Sequence, residues 1–176
     1  MRPLLLLVLL GCAHPAPDCD VEAPDGAVGT CAPPLRLPQS GGGRWSLDEA
    51  RGTTVLLSLQ AMWCGWCQRE ADELDALWAD PVAGTTVRGV LFQDEAGHVP
   101  DHDDLRQWID VLRLDHPVLL DVELEAWDLW GGTAQPLNVI VRDDGVVAWR
   151  STGWRPADEL TELLDAVATR RLDPTR

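Results

Sequence analysis

The chain has 176 residues and a formal charge of −15 at pH 7. That length supports one well-buried domain with short extras and excludes a second independent core, so a single active site is expected. The charge excludes nucleic acid as a partner: phosphate binding needs clustered cations, and the 14 basic residues, all arginine, form no basic stripe.

Met1-Arg2-Pro3 and the apolar run over 4–10 form a positive head and a hydrophobic stretch too short to span a bilayer as a helix. Residues 1–11 therefore read as a signal peptide. The run ends in Leu9-Leu10-Gly11-Cys12, which resembles the lipobox of bacterial lipoproteins. That resemblance implies cleavage before Cys12 and a lipid on Cys12, holding the mature domain at a membrane; the other reading is an ordinary secretory signal followed by an unmodified cysteine. Residues 12–34, rich in Pro, Gly, Ala and Asp, read as a flexible tether. The five cysteines are an odd number, and setting Cys12 aside leaves two plausible pairs, Cys64 with Cys67 and Cys19 with Cys31. The second pair flanks an aperiodic stretch over 20–30, where a disulfide would close a small loop in an oxidising compartment. Two unpaired thiols in the tether are the alternative.

The folded domain is expected over 35–170. Leu35-Arg36-Leu37, the glycines at 41–43 and Arg44-Trp45-Ser46 predict a small N-terminal hairpin, with Ser46 placed to cap a short turn over 47–50. Residues 53–59 read as a buried strand that feeds Trp63-Cys64-Gly65-Trp66-Cys67. Residues 67–79 have helical spacing, with Ala71, Leu74, Leu77 and Trp78 turned inward. A second strand is predicted over 87–92, a second helix over 101–112, a third strand over 117–120 and a short helical stretch over 124–130. Gly131-Gly132 breaks the pattern, and Pro136 opens a strand over 137–141. Asp143-Asp144-Gly145 is a hairpin turn, 146–149 returns antiparallel, and 156–169 closes as a helix with Leu160, Leu163, Leu164 and Val167 inward. The order βαβαβ followed by ββα predicts an α/β fold with right-handed crossovers, a parallel core and a mixed central sheet flanked by helices.

A Cys-x-x-Cys is either half a metal site or a redox dithiol. Structural zinc wants four ligands, and His98, His102 and His116 have no ligand spacing around the motif, so no metal site and no cofactor are expected. The redox reading has a mechanism here. A strand end running into the first turn of a helix puts the Cys64 sulfur near unsatisfied N–H groups and the positive end of the helix dipole, which favours thiolate. Cys64 is then the nucleophile, and Cys67, one turn further in, resolves the mixed disulfide. Trp63 and Trp66 flank the pair and would leave an aromatic surface for substrate next to the exposed sulfur; ordinary packing is the alternative for each. Pro136, after a glycine break and before a strand, stands where a cis X-Pro bond is sterically useful.

Together, Trp63-Cys64-x-x-Cys67, Pro136 before a strand, the Asp144-Gly145 hairpin and the final helix resemble the thioredoxin superfamily. The leader and the element order are most similar to its TlpA/ResA-like membrane-anchored branch. The resemblance implies a three-layer thioredoxin-like fold and thiol–disulfide exchange on exported proteins that carry disulfides or thiols. It implies substrate contacts at Gln135 and Pro136, an unknown electron donor, and a place in the bacterial cell envelope facing the periplasm or the exterior, with reduction as the favoured direction. Thioredoxins set a buried Asp on the preceding strand, where this chain has Ser58; the ResA-like branch resembles this chain in having a Glu on the active-site helix. That residue is Glu70, three past Cys67 and on the same helix face; a solvated helix carboxylate is the alternative. Gln60, Trp66 and Gln135 depart from the residues usual in the branch. A peroxiredoxin-like peroxidase, suggested by Asp94-Glu95 after a strand, lacks the expected surroundings at Ala61 and Met62; a copper-delivering relative and a non-catalytic binding module are further alternatives.

Overall fold

A computed structural model describes residues 26–172. The expected signal peptide, Cys12, Cys19 and the first part of the tether lie outside the described residues. Two short strands, β1 (Arg36–Pro38) and β2 (Arg44–Ser46), pair antiparallel as the N-terminal hairpin. Ser46 does not cap the turn that follows. It is committed to the β2 ladder opposite Arg36, and the 3-10 turn Asp48–Ala50 starts from Leu47 with no side-chain cap.

The main sheet is built from β3 (Thr54–Ala61), β4 (Thr85–Gln93), β5 (Val118–Leu120), β6 (Leu137–Val141) and β7 (Val147–Thr152). Its order is β5-β4-β3-β6-β7. The first three strands run parallel, and β6 and β7 return antiparallel. Every residue of β3 and of β6 is buried, as the near-continuous apolar runs require of strands covered on both faces. Four helices cover the sheet: α1 (Gly65–Ala79), α2 (His102–Leu112), α3 (Glu125–Leu129) and α4 (Ala157–Ala168). This is the thioredoxin-like arrangement.

Alternation along β3 divides the core. Leu56 packs with Leu74 and Leu77 of α1 and with Leu160 and Leu164 of α4, while Val55, Leu57 and Leu59 face a larger cluster that includes Trp108 and Trp130. On α1 the buried stripe is Cys67, Glu70, Ala71, Leu74 and Leu77. Trp78, expected inward, is 39% exposed because it lies about 100° around the helix from Leu77. Leu163 is half-buried beside the inner residues of α4. None of the helices among the described residues is long and apolar enough to cross a membrane.

Residues 26–32, at the end of the stretch read as a tether, pair with residues 145–147, where the turn enters β7. Gly29 N–H donates to Val147 O at 2.8 Å, Val147 N–H to Thr30 O at 2.9 Å, and Ala32 N–H to Gly145 O at 2.9 Å. Gly26, with φ +58°, lies so close to the Trp130 ring that a Cβ would meet it at 2.7 Å. The segment covers a strand edge that would otherwise present unpaired backbone groups.

The start of α2 is a capping box. The Asp101 carboxylate accepts from the N–H groups of Asp103 and Asp104, and Asp104 accepts from Asp101 N–H in return. Replacing Asp101 with Ala is expected to cost about 1 kcal/mol. Urea unfolding measures it, and an unchanged midpoint would contradict the capping account.

Candidate active site

The β3 strand runs at the centre of the sheet and delivers its C-terminal end to the first turn of α1. Met62 N–H bonds Gln93 O at the end of β4, and Cys64 N–H bonds Ala61 O, closing a tight turn. Cys64 is the N-cap of α1, and its Sγ accepts Cys67 N–H at 3.2 Å. Cys64 and Cys67 are joined as a disulfide with their Cα atoms 5.2 Å apart. Both are buried, Cys64 at 6% exposure and Cys67 at 0%. Despite the charge of the whole chain, the first turn of α1 carries no acidic residue. The unpaired N–H groups and helix dipole there act on the sulfur without an opposing carboxylate.

Trp63 and Trp66 are the exposed neighbours of the pair, at 49% and 58%. Trp63 Nε1–H donates to Gln93 Oε1 at 3.0 Å, which fixes the indole against the end of β4. Trp66 stands 6.2 Å, centroid to centroid, from Trp154 in the turn between β7 and α4. The Arg69 guanidinium lies 4.0 Å over the Trp154 ring. Trp66, Gly153 and Trp154 line a shallow depression beside the dithiol.

The Gln135–Pro136 bond is cis. Because Leu137 pairs with Leu59, Pro136 stands at the end of the sheet from which the cysteine turn departs. Pro136 O accepts Gly153 N–H at 2.8 Å, tying the Trp154 turn to the proline.

Glu70 is fully buried, not the solvated helix carboxylate that was the alternative. Its Oε1 accepts Ser58 Oγ–H at 2.7 Å, and its Oε2 accepts Arg155 N–H at 2.8 Å. Burial pushes the Glu70 carboxyl up from its ordinary 4.5 to about 7; bonds from Ser58, from the Arg155 backbone and from Asn138 restrain the rise. The carboxyl therefore comes from the helix, and the strand position beneath it, Ser58, is its hydrogen-bond donor. The other residues that the site draws in, Arg69, Asn138, Gly153, Trp154 and Arg155, were not among the sequence candidates. Asn138 had a signal: it is the polar interruption of an otherwise apolar strand. His98 and His102 are exposed, and His116 is buried against Asp75.

Residues 28–150 match the AhpC/TSA family. The chain belongs to that family. The chain is similar to the thioredoxin-like protein YneN of Bacillus subtilis, 27% identical over 140 residues, which is 78% of each chain. A structure of a thiol:disulfide interchange protein of the DsbE type from Chlorobium tepidum superposes with a TM-score of 0.68 at 24% identity, covering 83% of this chain and 98% of that one. The exposed lipoprotein thioredoxin of Streptococcus pneumoniae superposes at 0.67 with 20% identity, over 75% of this chain and 98% of that one. These neighbours share the thioredoxin-like fold of this AhpC/TSA member.

The raised Glu70 sets a stability prediction. A carboxyl that holds its proton more tightly when folded stabilises the fold at low pH, and that contribution is lost as pH rises from about 4.5 through about 7. Across that window Glu70→Gln should gain on the wild type by about 2 to 3 kcal/mol in the oxidised protein. Urea unfolding at the two ends of the window checks it, and a wild-type-to-variant difference independent of pH would contradict the raised carboxyl.

Proposed function

We propose that this chain is a thiol–disulfide oxidoreductase that reduces disulfides of exported proteins while held at the cell envelope by a lipid on Cys12. The observation that carries the reading is the placement of the pair: Cys64 caps α1 with its sulfur on a backbone N–H, and Cys67 lies buried on the helix stripe that also carries Glu70. In the reduced state the Cys64 thiolate attacks one sulfur of a substrate disulfide, and the second substrate sulfur leaves as a thiolate that takes up a proton. Glu70 accepts the Cys67 proton. The Cys67 thiolate then attacks the Cys64 sulfur, the remaining substrate thiol departs, and the Cys64–Cys67 disulfide forms. Two electrons have passed to the substrate, and an external dithiol donor restores the enzyme.

The dithiol chemistry is supported by the DsbE-type neighbour, itself described as a thiol:disulfide interchange protein, and by the AhpC/TSA membership. Envelope anchoring is supported by the leader and by the Streptococcus pneumoniae neighbour, described as an exposed lipoprotein. A disulfide between Cys19 and Cys31 belongs to the same reading, because such a bond persists in an oxidising compartment. Substrate is held by Trp63, Trp66, Gln135 and Pro136, to which Trp154 and Arg69 add an aromatic shelf with one cation.

Insulin reduction with dithiothreitol as donor tests the chemistry. The wild type should accelerate it, Cys64→Ser should abolish the acceleration, and Cys67→Ala should accumulate a mixed disulfide with insulin. No acceleration by the wild type would overturn the reading. The shelf has its own test: Trp154→Ala should raise KM for insulin several-fold and leave turnover of a small disulfide unchanged. Equal loss on both substrates would remove Trp154 from substrate binding.

A further inference from the structure

Ser58 and Gln60 are alternate residues of β3, on the face that packs against α1. Both are fully buried. Gln60 Nε2–H donates to Ser58 Oγ at 3.3 Å, and Ser58 Oγ–H donates to Glu70. Among the described residues, the other end of the Gln60 amide, Oε1, has no partner, and neither has Nε2 of His116, a residue 2% exposed in the turn before β5. Both atoms border one spot. Gly89 lies beside Ser58 in the β3–β4 register, and the position of a Cβ on it would be 3.1 Å from His116 Nε2 and 3.5 Å from Gln60 Oε1. Their common approach to this point leaves the two atoms near enough for one water to bridge them, and coupling requires such a bridge or a direct bond. On its far side His116 Nδ1 meets Asp75 of α1, which also accepts the backbone N–H groups of Asp115 and His116.

We infer that His116 is a positioning residue for the dithiol, joined to Glu70 through Gln60 and Ser58 so that the two groups titrate as one unit. The catalytic part of this inference rests on the exchange reading above.

Donor counting gives the coupling. With Glu70 ionised, the carboxylate accepts from Ser58, Ser58 accepts from the Gln60 NH2, and Gln60 Oε1 calls for a donor at His116 Nε2. Asp75 calls for a donor at Nδ1 at the same time. That direction of the row favours the imidazolium. With Glu70 protonated, its O–H turns toward Ser58, the Ser58 hydroxyl turns toward Gln60, and the flipped amide NH2 donates to a bare Nε2. His116 is then neutral, keeping Nδ1–H on Asp75. No proton crosses the amide: Glu70 gains one from Cys67, and His116 releases one at the other end, past the partly exposed Asp75 to solvent.

The remaining charges are few. Arg155 faces Glu70; Arg88 of β4 opposes the imidazolium, and Asp75 and Asp115 favour it. Burial lowers His116 from its ordinary 6.5 while it raises Glu70, so burial disfavours the charged form of each, and the row between them favours both charged or both neutral.

The test uses oxidised protein labelled with nitrogen-15 in its four histidines, with His116 assigned through His116→Gln. Glu70→Gln should lower the proton affinity of His116 at least threefold, and the difference should vanish when Gln60→Leu or Ser58→Ala cuts the row. A purely through-space effect would survive both cuts. His116→Gln should also shift the pH midpoint of insulin reduction, whereas His102→Gln, exposed at the start of α2, should not. A His116 titration identical in the wild type and Glu70→Gln, or a difference that persists in both cut backgrounds, would overturn the inference. The nitrogen readout needs no turnover: coupling without insulin reduction contradicts the exchange reading alone, and insulin reduction without coupling contradicts this inference alone.

Discussion

A carboxyl group moved out of water must lose its charge or find donors, and the site is organised around how Glu70 does both. Held on the inner stripe of α1, it takes one bond from a β3 hydroxyl and one from the backbone ahead of α4. Those bonds join three separate segments at one point on the buried stripe of α1 that also carries Cys67. The compensation is partial, and the remaining desolvation leaves the carboxyl near neutrality. An acid with that proton affinity can take a proton from a thiol and return it at the pH at which exchange must run. Ordinary surface ionisation would leave Glu70 too weak a base.

The sheet makes this possible by placing β3 between a parallel and an antiparallel neighbour. Its C-terminal end therefore meets the start of β6, and the cis Gln135–Pro136 bond stands where the cysteine turn begins. The Gly153 turn hangs from the Pro136 carbonyl and carries Trp154 toward Trp66. The chemistry is thus framed by backbone bonds between strands rather than by contacts between mobile side chains. At the far edge of the sheet, residues 26–32 pair with the start of β7 and cover that end of its edge.

Elements with strong periodicity were legible from the sequence. The strand feeding the cysteines, the helix after them and the closing hairpin and helix lie where the apolar spacing put them, within two residues at their ends except that β7 runs three residues further, to Thr152. What the sequence concealed were contacts between segments far apart in the chain. Glu70 shares the inner helical spacing of Cys67, Ala71, Leu74 and Leu77, but its partners, Ser58 on β3 and the Arg155 backbone, are 12 and 85 positions away. Trp154 is separated by 88 positions from its ring partner Trp66, so no local pattern could connect them. Ser46 looked like a cap because serine before a short turn usually is one, but pairing with Arg36 had already claimed it. Trp78 looked like core because it is large and apolar, and the helix phase turned it outward.

The central claim is a division of labour between two cysteines three residues apart: one sulfur activated at the start of a helix, the other buried on the helix stripe that carries a buried acid. Brief treatment of the reduced protein with iodoacetamide near neutral pH, followed by peptide mass analysis, reads that division directly. Cys64 should carry nearly all of the label while Cys67 remains unmodified. Label on Cys67 first, or on both at equal rates, would contradict the account.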